Sequence, residues 1–248
     1  MQIEVKNIHK TYGRHKVLED INLLIQDNQI HCLLGKNGVG KTTLINLILE
    51  LIDFEEGTII YDKNEGKLNN NLKKRMGVLG ENNPLIEELS AYQYLKLCAK
   101  LYKVKVSEVE KRISDLSSYF FKEGELNKKL SSFSTGMKKK IGLCAAVIHT
   151  PDLLILDEPF SGLDPVAAQI TVEFIKAYGS KNRSVFLSSH DLNYVEKIAS
   201  HITVLDETMV VFSGTFDHFT SEGKTNIDNA LLDLLKPDNT KLEKISWI

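Results

Sequence analysis

Residues 35–43 read Gly35-Lys36-Asn37-Gly38-Val39-Gly40-Lys41-Thr42-Thr43: a glycine, four residues, a second glycine, then lysine and a hydroxyl residue. The apolar run at 30–34 before it reads as a buried strand. The run at 44–51 after it has helical apolar spacing, so the stretch has the strand–loop–helix context of a phosphate-binding loop. Those residue types suit a polyphosphate, which must come close to successive backbone N–H groups; a Cβ would obstruct the approach and glycine removes it. A helix starting near Lys41 points its unpaired N–H groups and the positive end of its dipole at the anion. Lys41 adds a full charge toward the β- and γ-phosphates, and Thr42 offers a hydroxyl to Mg²⁺. The plainer alternative is a glycine-rich turn that opens a helix. The loop implies a nucleotide without implying a reaction.

Composition narrows the class. With 248 residues, 42% hydrophobic and 26% charged, the chain is long enough for one large or two small lobes with a proper core. Thirty-one Lys and Arg against 33 Asp and Glu give a net charge of −2, which supplies no global positive field for nucleic acid or an anionic membrane. Any membrane role must then come through a protein partner. No apolar run approaches the ~18 residues a bilayer span needs, and the opening MQIEVKNIHK lacks the apolar core of a signal peptide, which predicts a cytosolic protein. Cys32, Cys98 and Cys144 are odd in number, flanked by Leu or Ala and without metal-ligand spacing, so buried reduced thiols are expected.

Upstream of the loop, residues 2–8 and 17–25 read as strands joined by the polar turn Tyr12-Gly13-Arg14-His15. Tyr12 is either an aromatic placed to stack on adenine or a half-exposed tyrosine at a strand end. Downstream, Phe54-Glu55-Glu56-Gly57 reads as a turn, 58–61 and 76–79 as strands, and 66–71 and 80–84 as irregular. Residues 90–102 and 106–121 read as amphipathic helices, with Ser90 as an N-cap. A third helix begins at Ser134-Thr135-Gly136-Met137 and runs to about His149. Its lysines 138, 139 and 140 are either a solvated face, the preferred reading, or an electropositive surface near a phosphate.

The run 153–158, Leu-Leu-Ile-Leu-Asp-Glu, is continuously apolar until two carboxylates close it, which marks a strand buried on both faces of a parallel sheet. Neighbouring side chains on a strand point opposite ways, so Asp157 and Glu158 are expected to have different tasks, one toward Mg²⁺ and the other toward a water. Residues 161–165 form a turn that launches a helix from Pro165. A buried strand at 185–187 ends in Ser188-Ser189-His190-Asp191, and a helix at 191–199 and strands at 202–205 and 209–212 follow. Beyond Gly214 the chain reads as a helical, mostly polar tail.

This order of motifs over residues 1–215 resembles the nucleotide-binding subunit of an ATP-binding cassette (ABC) transporter, in the exporter-like, ABC-2-type branch. Residues 35–42 resemble its Walker A, and 153–158 its Walker B with the catalytic glutamate. Residues 161–165 resemble its D-loop, His190 its switch histidine, and Phe133-Ser134-Thr135-Gly136-Met137 its signature motif. The resemblance implies an α/β P-loop NTPase fold: a RecA-like core with an antiparallel β subdomain (1–82 and 151–215), an inserted α-helical subdomain (83–150) and a helical tail (216–248). It implies an ATPase working with ATP and Mg²⁺. Lys41, Glu158 and His190 would be catalytic, Thr42, Asp157 and Glu81 would hold the metal, and residues 35–43, Tyr12, Glu81, Ser134, Thr135, Gly136 and Asp164 would contact nucleotide.

The implied assembly is a head-to-tail pair of cassettes enclosing two ATP, with Asp164 communicating across the interface. It would be held at the inner face of the cell membrane by a separate membrane subunit and would have no nucleic-acid partner. Two departures stand out. Thr135 and Met137 replace Gly and Gln of the usual Leu-Ser-Gly-Gly-Gln, and Glu81 stands where the family usually has glutamine, keeping acceptor oxygens and losing the amide donor. Pro84, Leu85 and Ile86 fit either a docking site for the membrane subunit or packing between lobes. Two other readings remain: a non-transport ABC ATPase acting on nucleic acid or the ribosome, and an ATP-binding scaffold with weak hydrolysis.

Overall fold

In the computed structural model, residues 1–62, 64–65, 67–81 and 84–235 are described. The chain opens with β1 (Ile3–Tyr12) and β2 (His15–Ile25), an antiparallel hairpin closed by the Tyr12–His15 pair. Then come β3 (Ile30–Leu34), α1 (Lys41–Ile48), β4 (Glu56–Tyr61), β5 (Asn64–Glu65), α2 (Asn70–Lys73) and β6 (Met76–Leu79). Helices α3 (Ala91–Leu101), α4 (Val106–Phe120) and α5 (Thr135–Val147) follow in succession. The chain continues with β7 (Leu153–Asp157), α6 (Pro165–Gly179), β8 (Ser184–Ser189), α7 (Leu192–Ile198), β9 (His201–Asp206), β10 (Met209–Thr215), α8 (Phe216–Phe219) and α9 (Ile227–Leu235).

Two sheets result. One is antiparallel with strand order β2-β1-β4-β5. The other has order β10-β9-β3-β8-β7-β6, parallel from β9 to β6 with β10 antiparallel at its edge. All five residues of β7 are buried, as a parallel strand covered on both faces requires. One core lies between the sheets, where Leu44, Ile45, Leu47 and Ile48 of α1 meet Ile3, Val5 and Ile21 on one side and Leu33, Ile155 and Phe186 on the other. On the opposite face of the parallel sheet, Cys32, Leu34, Leu154, Leu156 and Leu187 pack with Leu95, Ile141, Val172 and Val195 from the helices. Because alternate residues of β3 and β7 feed both cores, the loop after β3 is fixed from two sides.

The helix starts follow local chemistry. Ser90 and Gln93 form a reciprocal capping box on α3. Ser134 accepts from the Met137 amide to cap α5, and Asp164 caps α6 with Pro165 in its first turn. Several expectations need adjustment. β1 extends to Tyr12, and β8 continues through Ser188 and Ser189. Glu56 and Gly57 lie inside β4, where His9 pairs with Glu56 beside a register shift that the positive φ of Gly57 accommodates. The tail is less polar than expected, since Phe219, Ile227 and Ala230 are buried in the helix-side core. Residues 236–248, and Asn82 and Asn83 of the expected irregular segment, lie outside the described residues. Cys32 and Cys144 are buried and reduced, with burial pushing both thiols up, whereas Cys98 is only half-buried. Among the described residues no helix is long and apolar enough to cross a membrane.

Candidate active site

The phosphate loop leaves β3 at Leu34 and delivers Lys41 as the first residue of α1. Gly40, at φ +112, precedes the helix, and no side chain caps its opening N–H groups. An uncapped helix start is a ready anion site. The glycines answer to the fold as well as to a ligand: a Cβ on Gly35 would lie 2.4 Å from the Leu205 carbonyl oxygen, and one on Gly40 would press on Val17 and Leu18 of β2. Thus the hairpin, tied to the parallel sheet by the Glu19 amide donating to Thr208 O (2.8 Å), rests directly on the loop.

A cavity of about 600 Å³ opens here, lined by Asn37, Gly38, Gly40, Lys41, Thr42, Thr43, Glu81, Glu158, Ser161 and His190, with His15 and Val17 from the hairpin. Lys41 is buried, and its Nζ donates to Gly35 O (2.7 Å) and Lys36 O (3.1 Å) and stands 3.5 Å from Glu158 Oε1. The opposite carboxylate oxygen, Glu158 Oε2, is 2.9 Å from His190 Nδ1. Glu158 Oε1 is buried and has no hydrogen-bond donor. A buried carboxylate oxygen with an ammonium nearby and no donor of its own can accept a hydrogen bond from a water entering the cavity.

Asp157 and Glu158 do diverge, for a reason other than strand alternation. β7 ends at Asp157, and Glu158 turns into the left-handed region at φ +49. Ser188 on the adjacent strand serves both residues: its Oγ accepts from the Glu158 amide (3.0 Å) and donates to Asp157 Oδ1. The Glu158 carbonyl accepts from Lys139 Nζ (2.6 Å) and from the Ser161 amide (3.3 Å). Burial holds the Lys139 ammonium below the ordinary lysine value, opposed by the charges of Glu158, Asp157 and Glu81. The solvated-face reading is therefore overturned for Lys139 and Lys140, while Lys138 keeps an exposed ion pair. Lys138 pairs with Glu87, Lys139 reaches Glu158 O, and Lys140 donates to Phe120 O (2.9 Å) beneath the Phe121 ring. Each acceptor sits on a distant segment, which spacing within the helix cannot reveal.

Thr42 and Glu81 meet at the cavity wall, with Thr42 Oγ1 donating to Glu81 Oε2 at 3.4 Å. Asp157 is buried at the end of β7 and is not among the cavity's lining residues. Among the described residues no group of three or more His, Cys, Asp or Glu is arranged to hold a metal ion. A cation held here would draw most of its ligands from phosphate and water, which is the habit of Mg²⁺ and fits a threonine hydroxyl with one or two carboxylates.

The remaining expected residues stand apart. Tyr12 is 51% exposed at the end of β1 with Lys10 Nζ 5.2 Å over its ring, beside but outside the cavity lining. Lys36 is exposed, 3.6 Å from Asp206, and Val39 is half-buried against the sheet core. Asp164 accepts from the Val166 and Ala167 amides and is not among the residues lining the cavity. Ser134, Thr135 and Gly136 line no part of the cavity either. A Cβ on Gly136 would lie 3.1 Å from Gly162 O, so the signature turn packs against the D-loop-like segment of its own chain. The sequence alone assigns Ser188 no role, although the Ser188-Ser189 pair at a strand end before His190 is the available signal, and it places Lys139 only as one of three lysines on a solvated face or near a phosphate.

A family model described as ABC transporter matches residues 18–161. The lantibiotic transport ATP-binding protein SrtF of Streptococcus pyogenes is similar at 31% identity over 216 residues, covering 87% of this chain and 91% of that protein. The bacitracin transport ATP-binding protein BcrA of Enterococcus faecalis is 36% identical over 212 residues, covering 84% and 68%. A solved structure of the ATP-binding subunit of an ABC transporter superposes with a TM-score of 0.85 at 29% identity, covering 95% of this chain and all of that one.

Proposed function

The chain belongs to the ABC transporter family, and from that membership we propose that it hydrolyses ATP to drive export through separate membrane-spanning subunits. The observation that carries the reading is the divided site. Lys41, Glu158 and His190 line one cavity, while the capped turn at Ser134 lies outside it on an exposed surface. Two copies related head to tail would bring the Ser134 helix start of one over the phosphate loop of the other, so that two helix N-termini flank each γ-phosphate.

In this mechanism the α1 amides and Lys41 hold the β- and γ-phosphates, and Tyr12 stacks on the adenine. Mg²⁺, held by Thr42 and Asp157 with Glu81 beside them, would neutralise charge on the phosphate oxygens. Glu158 orients a water through its unpartnered Oε1 and accepts a proton as the water oxygen attacks the γ-phosphorus and the bond to ADP breaks. His190 braces the second carboxylate oxygen and reaches the γ-phosphate. Asp164, by capping α6, holds the turn that would face the partner cassette.

Residues 83–150 are proposed to move as a helical unit against the core formed by 1–82 and 151–215, with 216–248 as an appended tail. Pro84 and Ile86 are exposed while Leu85 packs into the helix-side core, which supports docking of a membrane subunit on a loop anchored by Leu85. The relatives named for lantibiotic and bacitracin transport support export. The contacts among Lys41, Glu158 and His190 favour a working ATPase over a scaffold. On this proposal the chain works at the inner face of the membrane. Detergent extraction and pull-down of the tagged chain should retain a multi-span membrane subunit together with Mg²⁺-dependent phosphate release; recovery with ribosomes or nucleic acid instead would overturn the transport reading.

A further inference from the structure

Lys139 is the one side chain of α5 that reaches the catalytic carboxylate's backbone. Its Nζ donates to Glu158 O at 2.6 Å across 19 residues of sequence. That carbonyl belongs to a residue at φ +49, a conformation that is costly for a side chain with a Cβ and persists only where neighbours hold it. Ser188 on β8 holds the amide side of Glu158, and Ser161 and Lys139 hold the carbonyl side. Of these, Lys139 alone belongs to the helix whose first turn carries Ser134, the residue proposed to meet the other copy's nucleotide. The same lysine lines a cavity of about 360 Å³ with Glu81 and Thr135, so it stands between the signature turn and the acids of its own site.

We infer that Lys139 is a positioning residue for hydrolysis, transmitting the seating of the signature helix to the backbone of Glu158 in the same chain. This inference rests on the reading of Glu158 as the group that orients water. A charge-assisted hydrogen bond to a carbonyl suits the task because it is strong and directional, and the rigid helix converts a small shift at Ser134 into a displacement of the ammonium. A helix that withdraws would release the carbonyl and let Glu158 rotate from its left-handed conformation, swinging Oε1 away from the γ-phosphate. Lys139 would thus gate chemistry without touching nucleotide.

The test compares K139M, K139R, K138M and E158Q in the full chain together with any membrane subunit that co-purifies. Turnover is read alongside equilibrium binding of a fluorescent ATP analogue. K139M is expected to lower kcat by about tenfold or more while ATP affinity stays within about twofold, because a charged hydrogen bond acting on the reacting arrangement is lost and no nucleotide contact is. K139R should recover most of the loss, and K138M, whose lysine pairs only with Glu87, should retain wild-type turnover. In an E158Q background, K139M should cause no further fall, because the two act as one unit. Wild-type kcat in K139M, a parallel fall of kcat and affinity, or an equal loss in K138M would overturn the inference. E158Q separates the two levels: an inactive E158Q with a fully active K139M removes only the role of Lys139, whereas a fully active E158Q removes the reading beneath it as well.

Discussion

Glu158 is constrained at several points at once: a left-handed backbone, an amide and a carbonyl both held, one carboxylate oxygen against His190 and the other 3.5 Å from Lys41. Strain of this kind is retained where position matters more than stability. Its consequence is a clean division of labour with Lys41. Removing the carboxylate charge by E158Q should leave ATP binding intact and lower turnover about 10²–10⁴-fold, the usual worth of a general base. K41A removes the buried ammonium that closes the loop onto Gly35 and Lys36 and should weaken ATP binding itself. Binding isotherms and phosphate release on the two variants check this; equal affinity in K41A and wild type would contradict the phosphate-loop assignment.

At the scale of elements, β3 does more than present the loop. His31 in that strand is buried, packs edge-on against Phe186 with His201 nearby, and has its Nε2 2.8 Å from Thr203 Oγ1. Burial, reinforced by His201, holds its imidazole down to about 3 from an ordinary 6.5. Above that ordinary value both folded and unfolded chains carry a neutral ring, and stability owes nothing to pH at this site. Below it the unfolded chain takes up a proton that the folded one refuses, so stability falls with pH toward about 3, with a slope approaching 1.4 kcal/mol per pH unit, roughly one proton's worth. Denaturant titrations between about pH 6 and 4 should show a shallower decline in H31Q than in wild type, by up to that one proton; identical slopes would contradict the burial argument. Element identity is largely legible in the sequence wherever a local rule decides it: the glycine pattern before Lys41, the continuous apolar run of β7, the Ser90 cap and the turn that launches α6 from Pro165. What escaped was decided between elements. Lys138, Lys139 and Lys140 find their partners on three other segments, and Ser188 acquires its role only because β8 pairs with β7. No spacing within the helix or the strand encodes those meetings, and the left-handed turn at Glu158 is likewise imposed by its neighbours.

For the whole molecule, the two cores on opposite faces of the parallel sheet leave the phosphate loop and the signature turn at separate sites. Lys41 is pinned between the sheets through α1, whereas Ser134 heads a helix packed on the opposite face of the parallel sheet. A catalytic pocket with an anion-binding helix start on only one side is completed most economically by a second copy, whose contribution the near-neutral charge of the chain does not oppose. In the proposed assembly ATP would act as the glue between copies, and its loss after hydrolysis would let them part, a rigid-body motion open to a membrane subunit docked near Pro84 and Ile86. The decisive measurement is the solution mass of E158Q, alone and with its membrane subunit, with saturating ATP and Mg²⁺, beside the same variant carrying S134R. A mass of two cassettes for E158Q that reverts to one when S134R is added, with ATP still bound, is the predicted result. A single cassette at saturating ATP, or a pair indifferent to S134R, would contradict it.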